Sequence, residues 1–289
     1  MFNLNEKKRR FYGIFTGLTF FIFFLFSGCG NEEKISSKKE LKDSKDEITV
    51  FAAASLTEAL TEIGNLYMEE NPELSISFNF DSSGTLKTQI EEGALCDIFI
   101  SAAPKQMNQL DITQDEKNNP DRLDFIDPDT RINLLENKVC LCVSGEKNKD
   151  ITSFEDLKAH FEAGDILFAM GNEDVPVGQY TQKILEYLGL NEEELSNKGL
   201  ITYGSNVKEV TTLIKEGMAD AGIVYSTDAG AAGLFVVSEA ESQMCGQVIY
   251  PAAILKESKN RESADVFFEF ITGDKAAGVF KEAGLSMIK

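Results

Sequence analysis

The feature that most constrains the fold is an alternation of strand-like and helix-like segments that begins near residue 47. Residues 48–53 form an apolar run of strand length. Ser55 then opens a pattern that sets Leu56, Leu60, Ile63 and Tyr67 on one helical face. Asn71-Pro72 stops that helix. Leu74, Ile76, Phe78 and Phe80 alternate with polar residues as a second strand. Residues 85–92 read as a helix closed by Gly93, and 97–101 as a third, buried strand. A β-α-β-α-β order predicts a parallel sheet with helices on its faces. A polar, weakly patterned stretch spans 108–129. The alternation then resumes, with strands at 139–143, 166–169, 200–203, 221–225 and 234–237 and helices at 154–161, 181–188 and 207–215. A strand at 249–255 and a Phe-rich helix at 263–271 finish the chain. The expected class is α/β, with two lobes, each a mainly parallel sheet flanked by helices, and a ligand cleft between them.

The first 28 residues do not belong to that fold. Lys7-Lys8-Arg9-Arg10 is a basic start, and residues 11–26 are apolar apart from Gly and Thr. The run is short for a membrane span and suits the apolar stretch of a signal peptide. Phe26-Ser27-Gly28-Cys29 resembles a lipoprotein signal, with Phe26 where such signals usually carry Leu. Cleavage there leaves Cys29 as a lipid-modified N-terminus; an uncleaved N-terminal anchor is the alternative. Either way the body of the protein is exported. Residues 30–47 hold eleven charged residues and no aromatic, so 29–47 reads as a flexible tether.

Charge excludes several partners. Twenty-eight Lys and Arg face 48 Asp and Glu, a formal charge of −20, which argues against nucleic acid and against adsorption to anionic lipid. Cys96, Cys140, Cys142 and Cys245 lie in or beside apolar segments. Cys140 and Cys142 sit at i and i+2 on a strand and so point to one face, an awkward geometry for a bridge. Buried free thiols are expected. A zinc site needs Cys/His clusters, and His160 is the single histidine. No Asp/Glu array has calcium-loop spacing, and Asp127-Pro128-Asp129 reads as a turn.

The informative positions lie where strands hand over to helices. Ser55 follows the first strand at an expected N-cap, and Asp81-Ser82-Ser83-Gly84-Thr85 follows the second. Val175-Pro176-Val177-Gly178 precedes the helix containing Tyr180, with Pro suited to a first helical turn. Asn206 is placed to cap the helix that opens at Val207. Helix starts carry unpaired N–H groups and about half a positive charge, and in open α/β sheets they gather at the carboxyl ends of the strands, where ligands bind. Two starts from each lobe can surround one small anion with neutral donors, which reconciles an anion ligand with an acidic chain.

The string Ile48-Thr49-Val50-Phe51-Ala52-Ala53-Ala54-Ser55-Leu56-Thr57 is similar to the opening of the molybdate-binding proteins of bacterial ABC importers. The similarity continues through Phe80-Asp81-Ser82-Ser83-Gly84-Thr85-Leu86, Asp97-Ile98-Phe99-Ile100-Ser101-Ala102, Val175-Pro176-Val177-Gly178 and Gly222-Ile223-Val224-Tyr225-Ser226-Thr227-Asp228-Ala229. The resemblance implies a type II periplasmic-binding fold, with residues 48–133 plus 250–289 as lobe 1 and 134–249 as lobe 2. It implies a tetrahedral molybdate or tungstate held between the lobes. Ser55 and Ser83 are then hydroxyl and N–H donors, Val177 and Val207 backbone N–H donors, and Tyr225 a phenolic donor. Ser82 is the alternative to Ser83, and Val177 stands where the family commonly has Ala. The family's partners are a membrane permease and its ATPase. The expected protein is a monomeric lipoprotein on the outer face of the cell membrane, with no cofactor and no catalytic residue.

Three other readings compete: a receptor for sulfate, phosphate or another small anion, a serine-dependent hydrolase, and a structural surface lipoprotein. The hydrolase lacks a G-x-S-x-G nucleophile elbow, and His160 sits in a helical segment remote from both serine motifs.

Overall fold

The computed structural model describes residues 46–145 and 150–288. The expected signal segment, Cys29 and the tether up to residue 45 lie outside them. Among the described residues no helix is long and apolar enough to cross a membrane.

The 48–53 run forms the inner part of β1 (Asp46–Ala53). Ile48, Val50 and Ala52 on one face are wholly buried, and Phe51 and Ala53 on the other nearly so, because both faces are covered. A one-turn 3-10 helix, Ala54–Leu56, leads into α1 (Thr57–Glu70), and the chain continues through β2 (Leu74–Asp81), α2 (Ser83–Glu91), β3 (Ile98–Ile100) and α3 (Pro104–Gln109). The α1 face is as expected: Leu60, Ile63 and Tyr67 are buried. Next come β4 (Ile132–Asn137), β5 (Val139–Val143), α4 (Phe154–Ala163), β6 (Phe168–Gly171), α5 (Pro176–Tyr187), α6 (Glu192–Asn197), β7 (Ile201–Gly204), α7 (Val207–Lys215) and β8 (Ala221–Tyr225). The chain ends with α8 (Ser226–Ala232), β9 (Phe235–Glu239), α9 (Ser242–Cys245), β10 (Val248–Ile254), α10 (Arg261–Ile271), α11 (Asp274–Glu282) and β11 (Ser286–Met287).

Two sheets result, ordered β11-β4-β10-β3-β1-β2 and β7-β6-β8-β5-β9. Each is mixed rather than mainly parallel. β1, β2 and β3 run parallel, as do β6, β7 and β8. β10 is antiparallel to β3 and β4, and β5 is antiparallel to β8 and β9. The antiparallel halves follow from the two crossings. The chain leaves the first sheet along β4 and returns along β10, and these neighbours point opposite ways; β5 and β9 do the same in the second sheet. The first crossing is at Lys138 and the second lies between Glu239 and Val248.

The four cysteines are free and buried. Cys140 and Cys142 do share a face of β5, with sulfurs 3.7 Å apart, and burial pushes the Cys96 thiol far up. Asp127 accepts from Asp129 N–H in a short 3-10 turn, and no cluster of three or more metal-ligating side chains occurs among the described residues.

Candidate functional site: a donor-lined cavity between two sheets

Every predicted site residue lies at or just beyond the carboxyl end of a parallel strand. Ser55 follows β1, but it does not cap α1. The N-cap of α1 is Leu56, with no side-chain hydrogen bond, because the intervening 3-10 turn moves the serine one turn upstream. The buried Ser55 hydroxyl instead lies 2.9 Å from Tyr250 Oη.

The adjacent serines after β2 divide their work. Ser82 is the cap: its Oγ accepts from Thr85 N–H at 3.1 Å and lies 2.9 Å from Thr85 Oγ1. Ser83, fully buried, accepts from Ala102 N–H at 2.9 Å, so its own proton remains to be given. The geometry favours Ser83 over Ser82 as a hydroxyl donor.

In the second sheet, β6 leads to α5 with Val175 as N-cap and Pro176 in the first turn. The helical ladder starts only at Gln179 N–H, which donates to Val175 O, leaving Val177 N–H in the unpaired first turn. Asn206 after β7 caps α7 as expected, accepting from Glu209 N–H at 3.0 Å. That ladder starts at Val210, which leaves Val207 N–H ahead of it. Tyr225 is the last residue of β8. Its ring meets those of Tyr250 and Tyr180 edge-on at 5.7 and 6.4 Å, and its buried Oη has no hydrogen-bond partner. Burial, then Tyr250, Tyr180 and Asp228, push the Tyr225 phenol well above its ordinary pKa, so it stays a donor at any physiological pH.

Ser55, Ser83, Val177, Val207 and Tyr225 all line one small cavity with free space of about 10 Å³, closed in by Ala53, Ala54, Ala102, Val175 and Pro176. No Lys or Arg borders it. The one carboxylate at its edge, Asp81, accepts from Ser82 N–H at 2.7 Å and from Asn206 Nδ2 at 3.5 Å, a contact from one sheet's helix starts to the other's. A second contact of this kind is tighter still. A Cβ placed on Gly84 in α2 would sit 2.3 Å from Asp174 O, just before α5.

Lys208, the nearest cation in sequence, spends its charge elsewhere. Its Nζ lies 2.8 Å from both carboxylate oxygens of Glu58 in α1 and 3.2 Å from Asp228 Oδ1. Burial opposes the Lys208 charge, but Asp228 and Glu58 outweigh it and raise its pKa. Burial pushes the Asp228 carboxyl up to about 6 against the pull of Lys208. His160 on α4 pairs with Asp165, just past the end of that helix, at 2.9 Å.

Two residues at the site carry no local sequence signal: Tyr250 from β10, which contacts Ser55, and Asn137 at the end of β4, which contacts Tyr250. An isolated Tyr in an apolar strand reads only as core.

Residues 48–286 match the family model described as bacterial extracellular solute-binding protein. The chain belongs to that family. It is 33% identical to YvgL of Bacillus subtilis, named provisionally as an ABC transporter substrate-binding lipoprotein, over 91% of this chain and 94% of that one. It is 34% identical to the molybdate-binding protein ModA of Haemophilus influenzae over 83% of this chain and 89% of that one. The periplasmic molybdate-binding protein of Azotobacter vinelandii superposes with a TM-score of 0.70 at 20% identity, covering 84% of this chain and all of that one, which establishes the shared two-lobed α/β fold.

Proposed function

We propose that this chain is an extracytoplasmic receptor that captures molybdate, and tungstate with it, and presents it to an ABC permease driven by its ATPase. The observation that carries the reading is the convergence of five donors from two lobes on one small cavity without a bordering cation. The likeness to proteins named molybdate-binding supports the choice of ligand.

In this reading Ser55 and Ser83 hold the oxyanion from the first lobe, and Val177, Val207 and Tyr225 close on it from the second, a hinge closure of the kind known for periplasmic receptors. The residues bind and orient; no bond is made or broken, and no cofactor or catalytic residue is needed. Helix starts supply the positive potential, and each hydrogen bond to the charged ligand contributes about 1.5–3 kcal/mol. Sulfate has the same shape and charge but is smaller, so fixed donors reach it poorly. Phosphate at neutral pH carries a proton; the one acceptor at the cavity edge, Asp81, is already engaged by Ser82 N–H and Asn206, and a proton left unpaired costs about 1–3 kcal/mol. The proposal extends to export, attachment through a lipid on Cys29, and action as a monomer.

Calorimetric titration with molybdate, tungstate, sulfate and phosphate tests the reading. One-to-one binding of the first two, with the others silent at millimolar levels, is the expected result. Preferential binding of sulfate or phosphate moves the substrate, and silence with all four refutes the proposal.

A further inference from the structure

The two serines are oriented by different means. Ser83 Oγ is fixed by a backbone donor, Ala102 N–H. Ser55 Oγ faces another hydroxyl, Tyr250 Oη, at 2.9 Å, and at that contact alone either group can donate. The direction is set one step further back. Asn137 Oδ1 is occupied by Lys138 N–H at 2.8 Å, so the amide nitrogen faces the opposite way. It donates to Tyr250 Oη at 3.0 Å and to Thr227 Oγ1 at 3.1 Å.

Tyr250 is wholly buried. Asn137 Nδ2 gives it a proton and cannot accept one, so the phenol's own proton has one acceptor at hydrogen-bond distance, Ser55 Oγ; the neighbouring Tyr225 Oη, which also bears on the Tyr250 phenol, is not bonded at that distance. The reverse direction leaves the buried Tyr250 O–H only the Tyr225 oxygen, which lies outside hydrogen-bond distance, and is disfavoured. Ser55 therefore receives, and its own proton is left to point into the cavity.

We propose that Asn137 and Tyr250 are positioning residues: the chain Asn137 Nδ2–H to Tyr250 Oη–H to Ser55 Oγ–H holds Ser55 as a donor and makes the cavity selective for fully deprotonated oxyanions. This rests on the oxyanion-receptor reading above. With both serines committed as donors, neither serine is free to turn and accept from a protonated ligand. Asn137 is also the last residue before the crossing at Lys138, and its partner Thr227 follows Tyr225 by two residues. One amide thus ties the orientation of Ser55 to the joint between the sheets.

The test is a double-mutant cycle on the full-length chain in detergent, read by calorimetry with molybdate and with inorganic phosphate. Tyr250→Phe keeps the ring and removes the proton. It is expected to weaken molybdate about tenfold, or about 1.4 kcal/mol, and to narrow the molybdate-to-phosphate ratio, because Ser55 is then free to accept from hydrogen phosphate. In a Ser55→Ala background the same change is expected to shift molybdate affinity by less than twofold. A residue that merely supports the fold would weaken both ligands alike and add to Ser55→Ala. Should Tyr250→Phe unfold the chain, Asn137→Ala, which leaves the phenol but frees its direction, takes its place in the cycle with the same expectation. Additive losses, or an unchanged ratio with molybdate affinity within twofold of wild type, overturn the inference while leaving the receptor reading intact. A wild-type chain that binds neither molybdate nor tungstate overturns both.

Discussion

Replacing Gly84 by alanine separates the folding of the lobes from their closure over a ligand. Gly84 is the second residue of α2, has an ordinary helical backbone, and is a place where alanine normally adds up to about 1 kcal/mol of stability. Here the new Cβ would meet Asp174 O at 2.3 Å, Asp174 Cβ at 2.9 Å and Asp174 C at 3.0 Å, where ordinary contact begins near 3.4 Å. Relief of the first clash requires the helix starts of α2 and α5 to part by about 1 Å beside the cavity. A donor–acceptor distance of about 2.9 Å then becomes about 3.9 Å, which no longer counts as a hydrogen bond. Losing even one of the contacts from Val177, Val207 or Tyr225 to a charged ligand costs about 1.5–3 kcal/mol, so Kd for molybdate is expected to rise about 10- to 100-fold. Urea unfolding of the free protein should meanwhile show equal or greater stability. The pair of measurements is calorimetry for the ligand and a denaturation curve for the fold. A Kd within twofold of wild type refutes the reasoning, since it would mean that the ligand-gripping form does not bring Gly84 and Asp174 together.

Ser55→Ala and Ser83→Ala are each expected to weaken molybdate binding by about 1.5–3 kcal/mol with little change in melting temperature; calorimetry that finds neither weakened removes both from the site. Glu58→Gln breaks the contact of Lys208 with the first lobe, and because Glu58 is largely exposed the loss should be at most about 1 kcal/mol of affinity. A titration in 0.5 M salt checks this: the difference from wild type should shrink there, and a salt-independent difference points to a cause other than charge. Asp228 gives a pH signature. Its carboxyl is pushed up by burial to about 6 in the folded chain from an ordinary 3.8, so between those values the folded state binds more protons than the unfolded one. The contribution of this group to stability is therefore greatest at low pH and declines as pH rises through that window, by at most about 1.4 kcal/mol per unit. Asp228→Asn removes this slope, so urea unfolding should show the variant gaining on wild type between pH 4.5 and pH 7; a constant difference contradicts it.

What was legible in the sequence is what local chemistry determines. The parallel strands that carry the site announce themselves as apolar runs, and each is followed by a cap or first-turn residue whose position fixes where unpaired N–H groups lie. That is why Ser83, Val177, Val207 and Tyr225 fall where expected. Ser55 also reaches the cavity, although the expected reason was wrong. A serine before a helical pattern reads as a cap, yet the 3-10 turn displaces it and Tyr250, 195 residues away, takes its hydroxyl. β4 was illegible because its alternation is broken. Leu134 and Leu135 are both buried, since the register with β10 shifts between Tyr250 and Pro251. A bulge of this kind puts consecutive residues against the core and erases the period-2 signal. On the regular side of that bulge Val248 pairs with Asn137, which sets Tyr250 two residues along β10 and within reach of the Asn137 amide. The residues that line the cavity were therefore readable from helix starts, and the contacts behind Ser55 were not, because they are made by two antiparallel strands whose meeting depends on the chain's leaving one sheet and coming back.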